Sequence, residues 1–417
     1  MIQAQEISRT GSFDDWKLRE LYHLQDAART SLIEGGSWLV SRIHPNGPIL
    51  KVTDLNFIYK GVWGMWAAGV DHSVLHKSLK WIEENSLHPN GDFFFEEEED
   101  YHRIGLRIYR PLAFMKVAAW IDDPLVHNNL VTERLMEYQD KSGGVYDYIG
   151  EKRGSIENPV SHFTPLNTAF FVHAMVALDR REAAVRAGEW LRKFVQSNLK
   201  HMHESGIIYT ETDIQGKLKT EIKDPDSIIG TLNLVDAKQE FWNTGVVMSA
   251  LAVLYDAMRS KWNFSDADAW PLLEMALEFL EFESRMPSYT YEYPSKCKVA
   301  WGAGEVLRVL VKYDKGNEDQ IEKALQATRK TLVTTFIQNQ LPNGAWPCEH
   351  YVVSKKDPEY KFDYRPLKGK VNVPYRPLPG SKTSFIEGEE IAGEFLGEMR
   401  AAEEGITALI ASYNQGK

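Results

Sequence analysis

A short phrase recurs along the chain: an apolar residue or Gln, three residues, Gly, one residue, and another apolar residue. It reads Ile43-His-Pro-Asn-Gly47-Pro-Ile49, Leu87-His-Pro-Asn-Gly91-Asp-Phe93, Gln139-Asp-Lys-Ser-Gly143-Gly-Val145, Met202-His-Glu-Ser-Gly206-Ile-Ile208 and Gln340-Leu-Pro-Asn-Gly344-Ala-Trp346. From Gly47 through Gly91, Gly143 and Gly206 to Gly344 the intervals are 44, 52, 63 and 138 residues, so the last spans about two units and one unit lacks the phrase. Self-similarity at this period means supersecondary units that stack or close on one another, since one unit alone cannot bury its apolar face.

Between the phrases lie paired stretches with helical periodicity. The first of each pair is apolar and rich in small residues, as in 57–69, and suits a helix buried on most of its surface. The second is amphipathic: 73–86 sets Leu75, Leu79 and Ile82 on one side and Lys77, Lys80, Glu83 and Glu84 toward water. Asp123-Pro124 opens another such helix, with an acid at the N-cap and proline at the first position. The glycine after each amphipathic helix is expected as a C-cap. The pairs are 57–69 with 73–86, 105–120 with 124–139, 166–179 with 181–198, 239–258 with 267–283, and 298–313 with 318–339. Helices at 16–42 and 388–413 remain single and complete a sixth pair if they meet. The expected fold is therefore all-α, a single (α/α)6 toroid over 1–417, with inner helices forming one barrel and outer helices a second around it. The best strand signals, 207–212 and 289–293, read as short pieces within loops.

At Gln340-x-x-x-Gly344-x-Trp346 the sequence resembles the Gln–Trp repeat of the terpenoid cyclase and protein prenyltransferase α-toroid superfamily, squalene–hopene cyclase included. Gln139 and Gly143 match a second copy in which Val145 stands for the Trp; the other copies keep the Gly and an apolar ending. The resemblance implies a ring fold around a hydrophobic cavity. Its acid motif, Asp-x-Asp-Asp, is missing: Asp266-Ala-Asp268 and Asp122-Asp123 do not match it. The diphosphate–magnesium motif and the prenyltransferase zinc ligands are missing too, and no Walker loop or dinucleotide fingerprint occurs. No cofactor and no metal are expected. Because the same ring serves glycoside hydrolases, polysaccharide lyases and epimerases, the fold does not name the chemistry.

Composition narrows the partners. A net charge of −11 without a basic stripe argues against nucleic acid. The absence of a long apolar run argues against an integral membrane segment, and a polar start argues against a signal peptide. Two cysteines, Cys297 and Cys348, exclude a disulfide scaffold and make a cytoplasmic setting the expectation.

Loop lengths place the site. Connections from inner to outer helices are short, whereas 87–104, 140–165, 199–238, 284–297 and 340–387 are long and emerge over the N-termini of the inner helices; the Pro and Lys content of 346–387 suits a mobile cover, but the sequence does not say whether it closes as a lid. Aligned by their first turns, the inner helices bring Tyr59, Lys60, Tyr109, Arg110, Asn167, Trp242, Asn243 and Trp301 to one register, with Trp63 a turn deeper. Helix N-termini, Lys60 and Arg110 would favour an anionic group there; the alternative pairs Lys60 and Arg110 with Glu240 and Glu390. His162, Glu240, Glu390, His102 and Glu387 are the acid–base candidates, with Asp100 and Glu97 behind them. His44 and His88 belong to the recurring turn and read as structural.

Three functions fit. The leading one is a cofactor-independent cyclase or isomerase, pericyclic in its simplest form, folding a hydrophobic terpenoid or polyketide-like acid in an aromatic cavity. The alternative is a carbohydrate-active hydrolase, lyase or epimerase, in which aromatics stack on sugar rings and two carboxylates act. The third is a non-catalytic binding toroid. A deep apolar pocket favours the first, an open groove with carboxylates the second, and a filled barrel the third.

Overall fold

The computed structural model describes residues 13–43, 55–94, 108–146, 163–213, 215–221, 230–235, 239, 241–292, 296–346 and 387–415. Six helices form an inner ring: α2 (Leu55–Ala67), α4 (Tyr109–Ile121), α6 (Pro165–Ala177), α8 (Trp242–Ser260), α10 (Cys297–Lys312) and α12 (Glu387–Asn414). Each packs on the next, and α12 packs back on α2. Outside them lie α3 (His72–Ser86), α5 (Asn129–Glu137), α7 (Arg181–Glu204), α9 (Asp266–Ser284), α11 (Glu318–Thr331) and α1 (Phe13–Ser41). The chain is an (α/α)6 toroid, and α1 on α12 closes it. No described helix is long and apolar enough to cross a membrane.

Composition separates the layers. Every residue of α4 except Ala119 and Trp120 is buried, whereas α11 buries only Ala324, Leu325, Ala327, Thr328 and Thr331. Small residues bring the inner helices into backbone contact: a Cβ on Gly245 of α8 would fall 2.1 Å from the Lys298 carbonyl of α10, and one on Gly393 of α12 would fall 2.4 Å from that of Lys60 on α2. Three of the outer helices, α3, α9 and α11, start at side-chain caps. Asp71 accepts from the Ser73 N–H, Ser265 from Asp268, and Asn317 forms a reciprocal capping box with Gln320. Asp123-Pro124 does open a helical segment, but a 3-10 turn over Pro124–His127 precedes α5.

Five of the six inner helices end alike. Asp122, Asp179, Asn263 and Asp314 sit in the left-handed region at φ 52° to 58°, and Gly69 at 74°. At four of these reversals the next N–H returns to the carbonyl five residues back: Val70 to Met65 at 3.0 Å, and Asp123 to Ala118, Arg180 to Met175 and Lys315 to Leu310 at 2.8 Å. This is the Schellman closure of a helix C-terminus. The expected C-cap glycines behave differently. Gly206 follows α7 directly, while Gly91, Gly143 and Gly344 lie deeper in the turn of the phrase.

The phrase is a stitch between successive outer helices. The Gln139 amide of the segment after α5 donates to the Ala183 carbonyl of α7 at 2.9 Å, and Gln340 donates to the Ser31 carbonyl of α1 at 2.9 Å and to its own Gly344 carbonyl at 3.1 Å. Ser31 returns a bond to Gln340 Oε1 at 2.6 Å. Gly344, at φ 86°, lies so close to α1 that a Cβ would fall 2.3 Å from the Glu34 carbonyl. In the copy that begins at Leu87, Asp92 takes both Arg134 Nε (3.0 Å) and Nη2 (2.9 Å) from α5. Gln340→Ala should therefore weaken ring closure by about 1–3 kcal/mol, leaving the buried Ser31 groups without their partner. The urea midpoint reads this directly, and an unchanged midpoint would count against the stitch.

Strand expectations fared unevenly. Ile207–Tyr209 (β1) pairs antiparallel with Thr231–Asn233 (β2). Ser288–Glu292 is instead a 3-10 turn, because Thr290 bonds back to the Pro287 carbonyl through both its N–H and its hydroxyl.

Candidate active site

Polar side chains occur in layers along the barrel axis. At the N-terminal end, Tyr59, Tyr109, Arg110, Asn167 and Asn243 are all buried. Arg110 donates to the Phe93 carbonyl at 3.3 Å, and the Tyr109 ring packs on Phe170 at 4.4 Å between centroids. Trp242 is the first residue of α8 and partly exposed. Lys60 does not await a ligand: its Nζ is 2.7 Å from Glu394 Oε2. Its partner is Glu394, one turn beyond the expected Glu390. His102, His162 and Glu240 lie outside the described residues, as do 347–386, His44, Cys348, Asp100 and Glu97. Glu390 and Glu387 are in α12, with their side chains outside that set.

One turn deeper is a buried charge cluster. Glu394 bridges Lys60 and Lys298, and the Lys298 ammonium lies 3.4 Å from Glu398 Oε1. Cys297 completes a group with Glu394 and Glu398 whose ligand atoms lie within 4.8 Å of one another. Burial pushes the Cys297 thiol and the Glu398 carboxyl up, with Lys298 opposing both shifts. Two ammonium groups face the two carboxylates as an ion network, and both buried Glu398 oxygens lack a hydrogen bond among the described residues.

Beneath it Trp63, Trp301, Phe170 and His173 converge. Trp63 and Trp301 are 5.0 Å apart between centroids, and His173 stacks on Trp301 at 4.5 Å while its Nε2 shares a 2.9 Å hydrogen bond with Ser249. Burial, then the nearby Lys116, holds His173 well below the usual imidazole range. Lys116 itself, 1% exposed, has its Nζ 4.0 Å from the Trp63 ring centroid.

Trp63, Trp301, His173 and Lys116 help wall a cavity of about 430 Å³ at the C-terminal ends of the inner helices. Its rim carries Trp66 stacked on Trp120 at 3.9 Å, with Trp120 38% exposed. Its opposite wall is ionic. Arg308 Nη1 is 2.7 Å from Asp256 Oδ2, and Nη2 is 2.8 Å from Glu305 Oε2. Burial raises the Glu305 pKa despite Arg308. Burial would raise Asp256 as well, but Arg308, Lys312 and Tyr313 together bring it below the ordinary carboxylate range. One guanidinium thus holds two carboxyl groups whose environments push their pKa values apart, the usual arrangement of an acid and its ionised companion.

No protein-family model and no curated protein matches the chain. Among solved structures it is similar to a family 76 glycoside hydrolase alpha-mannanase from Bacteroides thetaiotaomicron, at 14% identity over 90% of this chain and 95% of that one, TM-score 0.45. It is also similar to another family 76 glycoside hydrolase, from a bovine strain of that species, at 12% identity over 89% and 76%, TM-score 0.46. A third is an unsaturated glucuronyl hydrolase specific for heparin, at 11% identity over 91% and 96%, TM-score 0.48. The expected kinship with terpenoid cyclases and prenyltransferases is corrected by these comparisons, which return glycoside-processing structures. The expected cyclase or isomerase activity and its biosynthetic role fall with it. The physical counterpart is the cavity itself, which sets Asp256, Glu305, Arg308 and Glu404 in its lining where a terpenoid would need apolar walls.

Reading only the first turns of the inner helices missed Lys116, His173, Asp256 and Glu305. The signal was present: each is a titratable residue beyond the first turn of an inner helix, with apolar or small residues on either side of it in the sequence.

Proposed function

We propose that the chain is a carbohydrate-active enzyme, a glycoside hydrolase in its simplest form, working in the cavity at the C-terminal ends of the inner helices. The supporting observation is the contrast between its walls. Trp63, Trp66, Trp120 and Trp301 offer flat apolar faces, while Asp256, Glu305, Arg308 and Glu404 offer hydrogen-bonding groups opposite. A sugar ring has that division, with C–H faces for the indoles and hydroxyls for the charges.

In this reading Glu305, whose pKa burial raises, donates to the leaving oxygen, and Asp256, whose pKa is lowered, supports the developing positive charge or the attacking water. Arg308 positions both.

A panel of oligosaccharides, alpha-mannan fragments included, tests the proposal by release of reducing ends and by thermal stabilisation. A ligand at a hundred times its Kd should add about 2.7 kcal/mol to the native state. Stabilisation by hydrophobic acids alone, with no glycan effective, would overturn it.

A further inference from the structure

The cavity's cations are spoken for, with one exception. Arg308 is held by Asp256 and Glu305, Arg400 Nε is 2.6 Å from Glu404 Oε1, and Lys261 Nζ is 2.9 Å from Asp179 Oδ1. Lys116 Nζ, among the described residues, has neither a hydrogen-bond nor an ion-pair partner. It is buried against rings: Trp63 at 4.0 Å, Trp120 at 5.1 Å and Trp301 at 5.3 Å. A buried ammonium without an acceptor is costly, and cation–π contact offsets only part of that cost.

We propose that the ligand of this cavity carries a carboxylate that pairs with Lys116, so that the sugar it accepts is a sugar acid. The inference rests on the carbohydrate reading for the sugar and on Lys116 alone for the acid. A single ammonium matches one negative charge; a phosphate dianion would leave its second charge facing the indoles.

Proton linkage follows from the surroundings. Facing Lys116 are Trp63 from α2, His173 from α6, Glu305 from α10 and Glu398 from α12. Burial, only partly opposed by Glu398 and Glu305, pushes the Lys116 ammonium down to about 7. A carboxylate at Nζ favours the charged form, so binding near neutral pH takes up about half a proton per site. Above that pH the affinity should fall about tenfold per unit. Ionisation of Glu305 would weaken an anion in the same direction. It persists in Lys116→Met, which separates the two. His173, held neutral, contributes nothing.

Calorimetry on the full chain with D-galacturonate, D-galactose and benzoate, at pH 6 and 8.5 and in buffers of different ionisation enthalpy, tests this. Galacturonate is expected to bind at least about tenfold more tightly than galactose, with proton uptake, and to lose that advantage in Lys116→Met. Equal affinities for galacturonate and galactose, unaffected by the substitution, overturn the role of Lys116 and leave the carbohydrate reading standing. Benzoate binding as tightly as galacturonate, with the same Lys116 dependence, upholds the anion anchor and overturns the sugar reading. Should Lys116→Met fail to fold, galacturonate binding to the parent without proton uptake still refutes the inference, and so does a failure of all three to bind.

Discussion

Lys296→Met is expected to cost about 3–5 kcal/mol of unfolding free energy, because it leaves the Glu283 carboxylate buried without its counter-charge. Both side chains are fully buried. Thr244 Oγ1 donates to Glu283 Oε1, and the ammonium also lies 4.5 Å from the Phe241 ring centroid and 4.9 Å from that of Tyr291. The pair thus ties α8, α9 and the residue preceding α10 at one point. Adding Glu283→Gln should recover most of the loss, since the pair as a whole contributes far less than the penalty for orphaning one member. Denaturant unfolding of the two single variants and the double closes the cycle. A single substitution costing under about 1 kcal/mol would show that the site relaxes or admits water.

Glu305→Gln should lower turnover on the glycan identified by the panel by about 10²–10⁴-fold, the usual worth of a positioned general acid. The amide keeps the shape and can still meet Arg308, so the fold should persist and circular dichroism should be unchanged. The pH profile supplies a second readout. Glu305 acts protonated and burial raises its pKa, so activity is present below that raised pKa and declines as pH rises through it. In the Gln variant this alkaline limb should disappear from the residual rate. Turnover within tenfold of the parent would remove Glu305 from the mechanism.

The ring was legible because its signals are local. A glycine phrase at a regular interval, an apolar helix followed by an amphipathic one, and caps such as Asp71 and Ser265 are each read within a few residues. The interior was less so, because its partners meet only once the ring has closed. Lys60 and Glu394 are 334 residues apart in sequence, and Arg308 reaches 52 residues back to Asp256. Choosing Glu390 over Glu394 for Lys60 was a shift of one helical turn along the same face. Long loops drew attention to the N-terminal end of the inner helices, although the cavity found among the described residues is at the other end, beneath short turns. Lys116 is a charge in the second half of Tyr109–Ile121, a helix otherwise suited to burial, and depth rather than register was the missing coordinate.

The left-handed reversals after α2, α4, α6 and α10 bear on how a ligand gets in. Turns fixed by a 2.8–3.0 Å backbone bond and a pinned φ leave little slack for the main chain around the cavity mouth to swing. The aperture is therefore set by side-chain rotation, chiefly of Trp66 and Trp120, on a timescale far shorter than that of a moving loop. Entry at this end should resemble passage through a fixed port whose bore is adjusted by two indoles, and trimming Trp120 would widen the port without loosening the frame.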